Sequence, residues 1–504
     1  MVRSGSASGI IRKTSSKAKG AKASTNNLIW WIFGVALAVR LITSMCVLGD
    51  LTDPSRDHWN FGYETGRVAR SIATGQGFAN PFDLPSGATA WLAPVYPGIL
   101  AVFFKLFGVY SAGAAAAILC FNSLAAALTV VPVYFIARKM FGQPTATYAG
   151  WAWAFFPYSI YLAANWVWDT TLSVLILTML LWLTLELDEP KPLPAWLGYG
   201  ALWGLAALTN PTLLAALPFL LIWVAYRLHR SGRPWLLRMA ATGLFCVLIV
   251  GPWLARNARV FHRPVFIKDN FWMEVKVGNS LNQVHWWNDD AHPSQNAAEL
   301  RKIVSGGELA FLAEKKQESL DFLRHHFGFF AWLSLRRFIF MWSGFWSFQL
   351  DYLVNEPMDP VNIVFCSTLT LLGLAGARRA IRAGSEMVFP VLAALFSTQS
   401  VFYVTHPYFS YRHGVDPVLV LFGAYAAWPR LSLAWSEWTL RERVAAWAPA
   451  ALRIALPGFV SRSNVAGLEE PPVPSEQDLA NLADDLEAEL EPAGVAADGA
   501  EEGD

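Results

Sequence analysis

The sequence predicts an all-α polytopic membrane protein, a bundle of about ten transmembrane helices with juxtamembrane helices and a small segment on its outer face. Three observations point to this class. Apolar residues make up 54% of the 504 and charged residues only 15%, whereas charges approach roughly a quarter of a soluble chain. Apolar runs of bilayer length, roughly 17–25 residues, recur along the chain. The arginine-dense loops between those runs fall on one side of a consistent alternation, as expected of a chain with a cytoplasmic face.

Residues 1–27 carry Arg3, Arg12, Lys13, Lys17, Lys19 and Lys22 and no acid. Disorder is expected there, because the segment buries too little apolar surface to offset its ordering entropy. Leu28–Gly49 is too long for a signal-peptide core and reads as a retained first helix. Its basic flank puts the N-terminus in the cytoplasm, so residues 50–111 form a first outer loop. Within that loop Gly75, Gly77, Pro81, Pro85 and Gly87 break the chain into a folded turn region. Trp91–Phe107 is apolar but interrupted by Pro94 and Pro97. It is expected to stay on the outer face, because Ala112–Ala137 ends in Arg138-Lys139 and must travel inward.

The alternation then runs without strain. Thr145–Ala164 goes out and Asp169–Leu187 returns; Ala195–Thr209 goes out and Thr212–Tyr226 returns to Arg227, Arg230, Arg233 and Arg238. Met239–Leu254 goes out to a large polar segment, residues 256–359. Val361–Ala375 returns to Arg378, Arg379 and Arg382, Met387–Val404 goes out and Val415–Ala427 comes back. Ser294 is thereby external and Ser385 internal. In the large outer segment, Leu300, Ile303, Leu309, Leu312, Leu320 and Leu323 have the spacing of two amphipathic helices over Ala297–Phe327. Asn270–Asn279 (NFWMEVKVGN) alternates like a strand ending in a Gly-Asn turn and could line a pocket. Phe329–Phe348 holds Arg336-Arg337 among aromatics, so an interfacial or re-entrant helix is expected.

The transmembrane body thus spans 28–431. Residues 432–467 read as an amphipathic cytoplasmic segment, and 468–504 as an acidic disordered tail. That tail holds 13 of the 38 acidic residues and no Lys or Arg, so the net charge of +1 hides a balance of 39 basic against 25 acidic residues elsewhere. The four cysteines lie in apolar runs without a CxxC pair. There is no P-loop, GxGxxG or HExxH, and nothing indicates nucleic-acid binding.

Candidate chemistry sits on the outer side. Asp57, Phe61 and Glu64 fall at i, i+4 and i+7, so both carboxylates share a helical face near the bilayer, with Arg67 and Arg70 one turn on. Such an acid can have its pKa raised and act as a general base; a solvated helix with Glu64–Arg67 pairing is the plainer reading. Asp169 stands at the outer mouth of a span, either capping the helix or serving as a second carboxylate across a cavity. Arg256, Arg259, Arg263 and Lys268 follow a span on the outer side, against the usual charge bias. A phosphate-bearing ligand would explain them, as would snorkelling to head groups. His406, Arg412 and His413 offer a second basic cluster with the same two readings.

In order along the chain, YETGRVARSIATGQGF, WLAPVYPGILAVFFKLFG, a helix ending RKMFG, WVWDTTLS, LTNPTLL, GPWLARNARVF, NFWMEVKVGN and YFSYRHGVDPVL together resemble the glycosyltransferase C superfamily. The likeness is to its family-39-like membrane glycosyltransferases, related to protein mannosyltransferases and aminoarabinose lipid-A transferases, and covers roughly Leu28–Leu431. It implies a glycosyltransferase C-type bundle that takes a sugar from a polyprenyl-phosphate donor and passes it to a glycan, lipid or protein acceptor on the outer face of the cell's inner membrane.

The resemblance also implies a catalytic acid early in the first outer loop. Many members place there an Asp opening a D-x-x-x-Y stretch, two turns before the position of Ala69; here that place is Phe61. The implied base is therefore Glu64, because YETGR resembles a subgroup with glutamate, with Asp57 second. Asp169 matches the acid of the second outer loop. Arg67, Arg256, Arg412 and His413 would hold the donor phosphate. Some relatives use a divalent metal and others none. The competing class is a non-enzymatic transporter or flippase of lipid-linked sugars. Such a protein tends to carry midplane charges and inverted repeats, whereas here most ionisable residues cluster at one rim and no repeat is visible.

Overall fold

The computed structural model describes residues 7–53, 55, 58–187, 189, 191–281, 289–344 and 359–434. Among them the chain is almost wholly helical, and the β pairing is one antiparallel bridge between Ala79 and Ala88. Five segments are long and apolar enough to cross a bilayer: Asn27–Cys46, Ala112–Phe141, Pro211–Arg230, Leu236–Phe261 and Pro360–Arg382. Shorter apolar helices occupy Val95–Phe107, Thr170–Glu186, Val388–Val404 and Asp416–Ala427. This is a multi-pass membrane protein. Outward apolar residues such as Leu237, Leu244, Val247 and Leu248 remain exposed, as lipid-facing positions must.

The first helix, α1, runs Ala7–Cys46. It therefore begins well upstream of the apolar run, in a stretch where composition predicts disorder. The physical reason is propagation: once a span has nucleated, each further residue adds a hydrogen bond, and Ala and Lys are good helix formers. A single turn, α2 (Leu48–Leu51), follows. Next come α3 (Tyr63–Ala73) and α4 (Val95–Phe107), which pack on each other, and α4 packs on α5 (Ala112–Leu128). The Ser111 hydroxyl accepts from the Ala114 N–H and caps α5.

The run Ala112–Ala137 is two helices, α5 and α6 (Val130–Phe141), joined at Thr129. Thr145–Ala164 is likewise not one helix. It breaks into α7 (Gln143–Ala154) and α8 (Pro157–Asn165), because the residue before Pro157 is driven out of the helical region. The freed carbonyls need donors inside a membrane. Arg40 of α1 supplies them, donating to Ala154 O at 2.9 Å, Trp153 O at 3.0 Å and Ser159 Oγ at 2.9 Å.

Next come α9 (Thr170–Glu186), α10 (Leu193–Thr209), a 3-10 turn over Pro211–Ala216, α11 (Leu217–Arg230) and α12 (Leu236–Phe261). Close approach of α10 to α12 depends on Gly200, where a Cβ would run into the Thr242 carbonyl. This is small-residue packing of the kind membrane helices use.

The stretch NFWMEVKVGN is a helix, α13 (Phe271–Gly278), and not a strand. Its alternating pattern arises because the helix is buried on opposite sides. Met273 and Val277, at i and i+4, join one apolar cluster, while Val275 is buried elsewhere. The two amphipathic helices are α14 (Ala297–Gly306), capped by the Asn296 side chain, and α15 (Glu308–His325). Then follow α16 (Phe327–Ser343), α17 (Asp359–Arg382), α18 (Val388–Val404), α19 (Phe409–Arg412) and α20 (Asp416–Ala434). Asp57, the end of the Phe329–Phe348 stretch and the segment from 435 onward, with most of the expected amphipathic stretch and the acidic tail, lie outside the described residues.

The loops gather at two ends. At one, Lys139 pairs with Glu186 and Glu189, and Arg227 and Arg230 pair with Glu386. Phe141 stacks on Tyr425, whose carbonyl accepts from Arg379. The other end is reached by following the same helices. From Glu186 the chain runs back along α9 to Asp169, about 25 Å at 1.5 Å per residue. There α3, α13, α14 and α15 build a second apolar cluster around Tyr63, Trp91, Met273, Leu300 and Phe311.

Candidate active site

At that second end lies a cavity of about 820 Å³, within the range of small-molecule sites. Its lining includes Glu64 of α3, Asp169 before α9, Lys268 and Glu274 around α13, His292 before α14, Gln399 of α18 and His406 after it.

Glu64 stands in the first turn of α3 behind Gly62, whose backbone is left-handed (φ 74°). A Cβ at Gly62 would meet the Val167 carbonyl, so glycine is what lets α3 start against the Asp169 loop. Glu64 is 8% exposed. Burial pushes its carboxyl up to about 7; Glu274 adds to the rise, while Arg67 and Lys268 oppose it.

His292 Nε2 lies 3.8 Å from Glu64 Oε1, close but beyond a hydrogen bond. Burial lowers the His292 pKa to about 4, so the ring is neutral near pH 7. Its Nδ1 accepts from the Ser294 backbone N–H at 3.2 Å. The ring proton therefore sits on Nε2 and faces the carboxylate.

Across the cavity, Glu274 is held at both oxygens. Oε1 accepts from Asn270 Nδ2 at 2.6 Å, and Oε2 bonds His406 Nε2 at 2.8 Å. Burial opposes its charge, yet the hydrogen bond and field of His406, with Lys268, hold it down to about 2. Glu274 is ionised where Glu64 is poised. Contact between α13 and the His406 loop is made possible by Gly278, where a Cβ would strike the Thr405 carbonyl. Asp169 Oδ2 accepts from Ser173 Oγ at 2.7 Å and Asn210 Nδ2 at 3.0 Å. Its side chain thus bonds other side chains and makes no backbone cap.

Lys268 brings cationic charge to the lining. Its loop is fixed by the next residue: Asp269 N donates to Ala90 O at 3.1 Å, and Ala90 N donates to Glu308 Oε1 at 2.7 Å. Thr89 Oγ1 also bonds Glu308. Burial, with Asp269 nearby, raises the Glu308 carboxyl well above the usual range.

The basic residues expected at a phosphate are not in the cavity lining. Arg67 ion-pairs with Asp83 and lies 4.0 Å over the Tyr63 ring. Arg256 donates to the Thr89 and Phe78 carbonyls, both at 2.8 Å, and so staples the two arms of the first outer loop. Arg412 pairs with Asp416 at 2.8 Å, and His413 bonds the same carboxylate at 3.0 Å. A buried cation must be paired, and these have structural partners. For Arg412 and His413 the signal was local: Asp416 follows at i+4 and i+3. Of the basic run after α12, it is Lys268 that lines the cavity.

Glu274 is not singled out by sequence as an acting residue, and His406 reads there as part of a phosphate or head-group cluster with Arg412 and His413, not as a partner of Glu274. The available signal was a lone acid in an otherwise apolar helix. Among the described residues no three His, Cys, Asp or Glu side chains converge to hold a metal ion. The carboxylate–histidine approaches among the described residues are made in separate pairs, His292 with Glu64 and His406 with Glu274.

Residues 92–255 match the family model described as dolichyl-phosphate-mannose-protein mannosyltransferase. No curated protein matches the chain. Among solved structures it is similar to the oligosaccharyltransferase of Archaeoglobus fulgidus in complex with Zn and sulfate, with 14% identity and a TM-score of 0.45 over 84% of this chain and 51% of that one. AglB from Archaeoglobus fulgidus, in complex with an inhibitory peptide and a dolichol-phosphate, gives 13% and 0.44 over 92% and 54%. ArnT from Cupriavidus metallidurans bound to undecaprenyl phosphate gives 15% and 0.35 over 81% and 79%. The chain spans about half the length of the oligosaccharyltransferases it matches. The match over residues 92–255 to the dolichyl-phosphate-mannose-protein mannosyltransferase model takes in Asp169, Asn210 and the helices that follow them.

Proposed function

We propose that this protein is a membrane glycosyltransferase that moves a sugar from a polyprenyl-phosphate donor to an acceptor on the outer face of the cell's inner membrane, with Glu64 as general base. The observation that carries the reading is a buried carboxylate poised near neutrality, in a cavity that also holds a lysine. The family model matched by residues 92–255 is itself described by a dolichyl-phosphate donor.

In this mechanism the acceptor hydroxyl or amine attacks the anomeric carbon as the bond from that carbon to the lipid phosphate breaks. The acceptor proton passes to Glu64. The bonding electrons leave with the phosphate, whose charge Lys268 stabilises. A single displacement inverts the anomeric centre. His292 stands beside Glu64 with its Nε2–H toward the carboxylate, and Asp169, braced by Ser173 and Asn210, holds a sugar hydroxyl.

The test is release of free polyprenyl phosphate from labelled polyprenyl-phosphate sugars by detergent-purified protein with candidate acceptors. Because the base acts when deprotonated, kcat/KM should rise with pH through about 7 and then level off. A profile flat from pH 5 to 9 would remove Glu64 as the base. The outer-face assignment is checked separately by cysteine accessibility in intact cells. Ser305→Cys, at an exposed site on α14, should react with an impermeant reagent and Ser385→Cys should not; the reverse pattern places the cavity in the cytoplasm.

A further inference from the structure

Two amide oxygens in the cavity wall have no hydrogen-bond partner among the described residues: Asn270 Oδ1 and Gln399 Oε1. Both residues line the cavity and are 2% exposed. Their orientations are set by the other end of each amide. Asn270 Nδ2 donates to Glu274 Oε1 at 2.6 Å, and Gln399 Nε2 donates to the Tyr411 carbonyl at 3.4 Å. Leaving such an acceptor buried and unpaired forfeits its hydration without return. Gln399 also sits within an apolar helix of 17 residues, α18, where an amide is costly unless it serves a site.

These two oxygens bracket a continuous polar wall. Asn270 leads to Glu274, Glu274 to His406 at 2.8 Å, and the His406 ring lies 5.5 Å from that of Tyr411, whose carbonyl holds Gln399. With the ionised Glu274 in the wall and the acids Glu64 and Asp169 also in the lining, the surroundings of the two amides are acidic, against Lys268 alone among the lysines and arginines. A ligand that suits it brings donors. A carboxylated ligand would meet its own kind of charge in a low-dielectric setting.

We infer that the Asn270–Gln399 wall is the recognition subsite for the transferred sugar, and that this sugar is an uncharged polyol whose hydroxyls donate to the two amide oxygens; uronic acids are excluded. The inference rests on the transferase reading for the identity of the ligand. Asn270 and Gln399 are specificity residues and take no part in bond breaking.

The experiment measures equilibrium binding to the detergent-solubilised full chain by tryptophan fluorescence, since Trp91 and Trp168 line the cavity. The probes are polyprenyl-phosphate mannose, polyprenyl-phosphate glucose, polyprenyl-phosphate glucuronic acid and bare polyprenyl phosphate. Mannose or glucose should strengthen binding at least about 10-fold over the bare lipid, and glucuronic acid should not. Gln399→Leu should reduce the sugar-to-bare-lipid ratio about 10-fold. Should that variant fold poorly, deoxy analogues of the mannose donor give the same reading on the unaltered protein: at least one must lose about 10-fold. Glucuronic acid binding as tightly as the neutral sugars, or deoxy analogues indistinguishable from the parent, overturns the inference. Bare lipid bound as tightly as every sugar-bearing probe overturns the sugar subsite and leaves the lipid-phosphate reading standing. No binding of any probe by the folded protein overturns both.

Discussion

Replacing Glu64 with Gln should lower sugar transfer about 10²–10⁴-fold, the contribution of a positioned general base. The substitution keeps the volume and polarity of the side chain, so the loss should be in kcat with donor binding retained. The rise in rate through pH 7 should vanish with it. A second signature separates lost chemistry from lost fold. The unfolded chain releases the Glu64 proton near the ordinary value of 4.5, whereas the folded protein holds it to about 7. Folded wild type therefore binds more protons across that window and loses stability as pH rises from about 4.5 to 7. Glu64→Gln lacks this loss, so at pH 8 its thermal midpoint in detergent should equal or exceed that of wild type. Full activity in the variant would remove Glu64 from the chemistry and turn attention to Asp57.

Replacing Lys268 with Gln should raise the donor KM about 10–100-fold, the range for removing a charge-assisted contact to phosphate. Bare polyprenyl phosphate should weaken in parallel as a competitor, because the lost contact is to phosphate and not to sugar. Arg412→Gln should behave differently. It removes the guanidinium from the buried Asp416 carboxylate, leaving it His413, and should cost about 3–5 kcal/mol of stability. A large KM effect from Arg412 with none from Lys268 would reverse the assignment of the phosphate site.

The contrast between Arg412 and Lys268 shows where sequence reading stops. Both are basic residues next to an apolar run on the same expected face, and local pattern weights them equally. Arg412 finds its acid four residues on, across the short turn between α19 and α20, and is used up there. Arg256 is drawn away by carbonyls 167 and 178 residues distant. Glu274 meets His406 across 132 residues. The NFWMEVKVGN stretch was misread as a strand because burial on opposite sides of a helix erases the 3.6-residue period that marks one. Asp169 and Glu64 were legible because a lone acid beside an apolar run is conspicuous on cost alone.

Composition and hydropathy by themselves determined that this chain is a multi-pass helical membrane protein, that its basic loops share one side, and that acids early in two loops of the other side were worth attention. Those are local properties, set by transfer free energy summed over short windows. Only the tertiary structure decided which charges face a common cavity and which are neutralised in the scaffold. That choice depends on pairings between distant segments, each made where desolvating a charge is offset by a partner within hydrogen-bond reach. The pattern of a single stretch does not reveal that partner.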